Sequence, residues 1–132
     1  MTQEILDEIK TEALKEFELL SRVYRPSFHT RKICDYLKQR VQELRPGTVV
    51  YEDQYRANLV NDTLDPTDSS GNIWWDVPAN APALQNNEPI ILQAHMDMVV
   101  AYENDEVHEQ MKSNGVELEY HDNDTLTSLG NM

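Results

Sequence analysis

With 132 residues, 39% of them hydrophobic, the chain is long enough for one domain-sized core and too apolar to be disordered by composition. Its formal charge of −13 (24 Asp plus Glu against 11 Lys plus Arg) repels nucleic acid and anionic membrane, and better suits a cation, a metal ion or a small peptide. Its one cysteine, Cys34, excludes an internal disulfide, the acidic opening MTQEILDEIK is no signal peptide, and no apolar run nears the roughly 20 residues of a membrane span, so a soluble cytoplasmic protein is expected.

In chain order, Ile5, Ile9, Ala13, Phe17 and Leu20 recur at three- and four-residue steps, which predicts a helix over 4–20 with one apolar face. Glu4, Asp7 and Glu8 sit near its start, where the helix dipole favours carboxylates. Pro26 interrupts the pattern. A second helix is expected over about 30–44, with Ile33, Leu37, Val41 and Leu44 inward, Ser27 or Thr30 as cap and Pro46-Gly47 as its stop.

After that stop the period changes. TVVYE and NIWWDV read as strands, the latter entered through the turn Ser69-Ser70-Gly71-Asn72. Residues 54–70 between them are polar and irregular, apart from Leu59-Val60. Trp74 and Trp75 would place one indole on each face of their strand, so at most one is core. PANAPALQNNE is a loop, and PIILQAH then runs apolar without alternation, as a strand covered on both faces does. Ile90, Ile91 and Leu92 are therefore expected to be the most buried strand. Beyond Tyr102 the chain turns acidic and reads as loose, until Val116, Leu118 and Tyr120 alternate with glutamates as in an edge or hairpin strand. The expected class is α/β, with two N-terminal helices packed on a mixed β-sheet.

The chemistry concentrates at the end of the apolar run, in QAHMDMV. Residues two apart in a strand share a face, so His95 and Asp97 could serve one site at the strand's carboxyl end. Imidazole is a common zinc ligand, and a neighbouring carboxylate fixes its tautomer. Taken alone, an H-x-D pair is more often a hydrogen-bonded core histidine with a turn-forming aspartate. His108 and His121 fall in acidic stretches where solvent-exposed loop histidines are the commoner case. DNDTLTSLG opens like a calcium loop at Asp122 and Asp124 but lacks the glycine and closing glutamate. The sequons at Asn61 and Asn123 mean nothing without a secretion signal, and Cys34 reads as a buried, inert thiol.

LQAHMDMV, preceded by GNIWWDVPA and by EFELLSRVYRPSFHTRKICDYLKQ, resembles the aminoacyl-histidine (Xaa-His) dipeptidases within the dinuclear zinc exopeptidases. NDEVHE and TLTSLG also look like family segments in the expected order, with an insertion across residues 54–68. The resemblance implies that His95 binds one zinc, that Asp97 orients it, and that dipeptides are the substrate. It also implies an aspartate bridging two zincs two residues past Gly130, where this chain has Asn131 and then Met132. A thioether cannot replace a bridging carboxylate. Residues 1–132 are thus expected to be the N-terminal portion of a metallopeptidase catalytic domain, inactive alone and binding zinc weakly or not at all. The alternative is a catalytically silent binding or interaction module of the same ancestry. Self-association is expected through exposed apolar surface near Tyr102, Val116 and Leu126.

Overall fold

A computed structural model describes residues 3–53, 67–121 and 125–128, with the side chains of Gln3, Ile5, Leu6 and Ile9 left aside. The inward positions expected of Ile5 and Ile9, the Leu59-Val60 pair, the 54–66 part of the insertion, and Asp122, Asp124 and residues 129–132 lie outside that description. The architecture is mixed α/β: helices α1 (Gln3–Ser21), α2 (Arg31–Leu44) and α3 (Asp105–Asn114), with two antiparallel strand pairs. The chain divides into two compact units, residues 27–98 and residues 1–26 with 99–132. Among the described residues no helix is long and apolar enough to cross a membrane.

In the first unit, α2 forms where the apolar period predicts it. It buries Ile33, Cys34 and Val41, while Leu44 at its end stays exposed. Thr30 is its N-cap residue, yet the side chain does not cap the helix; its Oγ1 instead accepts from the backbone N–H of Ser70 at 3.1 Å. The strand pair is shorter than the sequence suggests: β1 is Tyr51–Glu52 and β2 is Ile73–Trp74, paired Tyr51 to Trp74 and Glu52 to Ile73. Tyr51 and Trp74 stack across the pair at 5.5 Å. Both Trp74 and Trp75 are substantially exposed, so neither is core.

Arg31 at the first position of α2 stitches the helix to β1 and to the segment that leads into β2. Its guanidinium donates to Glu52 and to the Ser69 carbonyl, and its backbone N–H donates to the Asp68 carbonyl. Lys38, two turns on, also pairs with Glu52. The turn into β2 needs glycine at position 71, because a Cβ there would lie 1.9 Å from the Asp53 carbonyl oxygen. The Gly71 N–H completes the coordination of Glu52 at 3.3 Å. Two cations and a backbone donor hold the Glu52 carboxyl down to about 2, with Arg31 the largest influence.

The expected buried strand at 90–92 is not there. Ile90, Ile91 and Leu92 are 88%, 87% and 92% exposed and belong to neither strand pair. An unbroken apolar run is a signal that both faces can be covered, not that they are. Among the described residues nothing pairs with this backbone or packs on either face.

In the second unit, α3 is a helix in the stretch that reads as loose. Its signals are complete but local: Asn104 Oδ1 caps the Val107 N–H at 3.0 Å, Asp105 and Glu106 fill the first turn, Lys112 the last, and Gly115 follows. Only Met111 is buried from it, so the apolar period that usually announces a helix is faint. Gly115 has φ +72 and ψ −151, and a Cβ there would meet the Arg22 carbonyl carbon at 2.3 Å. That close approach seats the end of α3 on the end of α1, where the Val116 N–H donates to the Ser21 carbonyl at 2.7 Å and Val23 is buried. The predicted apolar face of α1 is largely bare: Ala13 and Phe17 are exposed and Leu20 only half-buried. The hairpin strand is as expected, β3 (Leu118–His121) pairing with β4 (Thr125–Ser128).

Candidate functional site

His95 and Asp97 lie just past the exposed apolar run. Met96 between them sits in a bend, so the two side chains meet through local geometry and not through the shared face of a strand. His95 Nδ1 is 3.1 Å from Asp97 Oδ1. The other carboxylate oxygen, Oδ2, accepts from Ser27 Oγ at 2.5 Å. Ser27 reaches this point because it turns the chain between Pro26 and the start of α2, with Phe28 beyond it at φ +70. The Ser27 bond, the largest influence, holds the Asp97 carboxyl below its ordinary range against the opposing effect of burial, with His95 adding a smaller push in the same direction as Ser27.

An ionised carboxylate can only accept, so Nδ1 donates to it, and in the neutral imidazole Nε2 then carries the lone pair. Nε2 belongs to a side chain that is 82% exposed. An open cavity of about 350 Å³ adjoins the pair, walled on its far side by Thr30, Ser70 and Asn72. An imidazole held by a carboxylate through one nitrogen and open at the other is the form in which histidine serves as a metal ligand.

The other candidates have partners of their own. His108 is not a loop residue: it lies on α3, half-buried, with Nε2 3.0 Å from the Tyr24 hydroxyl and its ring stacked on Tyr102 at 4.0 Å. His121 closes β3 and pairs with Thr127 Oγ1 at 2.8 Å. Cys34 is fully buried, and burial raises its thiol pKa, as expected of an inert core residue. Among the described residues no group of three or more His, Cys, Asp and Glu side chains gathers in a way that could hold a metal ion. His95 and Asp97 therefore fit one corner of a zinc site, and the described residues supply no more of it.

Sequence reading missed Ser27 as part of the site. It stands seventy positions from Asp97 in a turn, and nothing in its local sequence points to a carboxylate partner.

No family model matches the chain, and no solved structure matches it. Among curated proteins the chain is similar to the cytosol non-specific dipeptidase of Escherichia coli (strain K12), at 31% identity over 96 residues. That alignment takes in 73% of this chain but only 16% of the relative's length. Over this stretch the chain is dipeptidase-like in sequence.

Proposed function

We propose that this chain contributes to a peptide hydrolase of the dipeptidase type, with His95 as one zinc ligand and Asp97 as the carboxylate that orients it. The observation that carries the reading is the Nδ1 contact to Asp97, which leaves Nε2 open to a metal. The similarity to a dipeptidase supports the same chemistry. Zinc, when bound at such a centre, lowers the pKa of a water molecule and polarises the substrate carbonyl. This chain's own part is to hold the imidazole in its ligating tautomer beside an open cavity of about 350 Å³.

The remaining ligands, a bridging carboxylate and a general base would come from beyond the described residues. On this reading the substrate is an Xaa-His dipeptide, the compartment is the cytoplasm, and the 132 residues alone do not turn over substrate. Loss of a general base alone costs roughly a hundred- to ten-thousandfold. The test is hydrolysis of β-alanyl-histidine and a panel of other dipeptides with zinc, manganese or cobalt. The chain alone should be silent, and a longer polypeptide that carries it should be active and lose activity in His95→Ala. Turnover by the longer polypeptide that survives His95→Ala contradicts the assignment.

A second reading, an interaction module without catalysis, is favoured by one observation: the exposed run Ile90-Ile91-Leu92. Such a run suits association with a second chain better than a free surface. Silence of the longer polypeptide, together with concentration-dependent self-association, would support it.

A further inference from the structure

We infer that Ser27 is a positioning residue for His95, acting through Asp97. The inference rests on the proposed role of His95 and adds a third member to the pair. The Asp97 carboxylate accepts from three groups, Ser27 on Oδ2 at 2.5 Å, His95 on Oδ1 at 3.1 Å and its own backbone N–H. Ser27 is half-buried, whereas the His95 side chain is 82% exposed. The firm anchor of the carboxylate is thus the hydroxyl, and the imidazole is the group being steered.

Without that anchor, only its own backbone N–H and the exposed imidazole restrain the Asp97 carboxylate about its terminal torsion, which is broad. An exposed imidazole that loses a fixed acceptor populates both neutral tautomers. In the Nε2–H fraction the lone pair sits on Nδ1, and Nε2 can no longer ligate. The competing account is that the Ser27 hydroxyl merely ties its turn to the 95–98 segment. That account predicts a change in stability and no change in the tautomer of His95.

The experiment is nitrogen-15 NMR of histidine-labelled chain at a pH of roughly 8.5, above the ordinary imidazole range. His95→Gln assigns its resonances, and His29, bonded to Asp68 within the same unit, reports that the fold is intact. Wild type should hold His95 mainly as the Nδ1–H form. Ser27→Ala should move the tautomer ratio roughly fivefold toward Nε2–H, the change that one ordinary hydrogen bond supports. Ser27→Thr, which keeps the hydroxyl, should restore it.

An unchanged ratio in folded Ser27→Ala overturns the inference. Should that variant not fold, Ser27→Cys, a near-isostere with a much weaker donor, takes its place with the same two readings, and a wild-type His95 found mainly in the Nε2–H form overturns the inference without any substitution. The failure of the dipeptidase reading looks different. If zinc leaves His95 unmoved while its tautomer still follows Ser27, the metal assignment falls and the positioning role stands.

Discussion

Arg31 grips Glu52 with two prongs, Nη2 2.6 Å from Oε1 and Nη1 3.2 Å from Oε2. Glu52 is 12% exposed and Arg31 25%, so the pair is neither buried nor free in solvent. Glu52→Gln removes the counter-charge of Lys38 and leaves Arg31 with the more exposed Asp35 alone, and should cost about 1–3 kcal/mol, between the values typical of exposed and buried pairs. Because the folded carboxyl lies at about 2, below its unfolded value, the pair's contribution is fully present above the unfolded pKa. It is lost as pH falls from about 4.5 through about 2. Urea unfolding at pH 7 and pH 3 should show the wild type losing more stability than Glu52→Gln.

Gly115→Ala should be the most damaging small substitution in the unit built from α1 and α3. The new Cβ meets the Arg22 carbonyl carbon at 2.3 Å, and the backbone conformation is one only glycine adopts easily. A loss of about 2–4 kcal/mol is expected in thermal or urea unfolding, combining strain with the clash. Asn104→Ala at the other end of α3 should cost about 1 kcal/mol, the worth of an N-cap.

Ile91→Ala separates the observed placement of the apolar run from the one its sequence suggests. At 87% exposure, the isoleucine should contribute less than about 0.5 kcal/mol to the stability of the isolated chain. A buried isoleucine would cost about 2–5 kcal/mol on the same change.

Tyr102→Ala removes the ring stacked on His108 at 4.0 Å. The expected loss is about 0.5–1.5 kcal/mol, the range of aromatic pairs, with the Tyr24 bond left to hold the imidazole. The His108 resonances should shift, while those of His95 stay in place.

What the sequence revealed followed from how local each signal is. α2 was legible because Ile33 and Val41 recur on one face and that face is in fact buried. α3 was hidden because its determinants are caps and end charges around a single buried residue, Met111. The run at 90–92 misled because apolarity on both faces reports what a segment could bury, and its cover is not among the described residues. His95 and Asp97 were found from their spacing, though a bend and not a strand face brings them together. Ser27 needed the fold, since the contact closes a loop of seventy residues.

The account turns on His95 Nε2 being a metal-ligand position. The most direct measurement is a zinc titration of the chain followed at the nitrogens of His29, His95, His108 and His121, in wild type and in Asp97→Asn. The account predicts that His95 Nε2 responds first, weakly, and with an affinity that falls roughly tenfold or more when Asp97 can no longer orient it. Zinc that shifts His29, His108 or His121 while leaving His95 unmoved would contradict it.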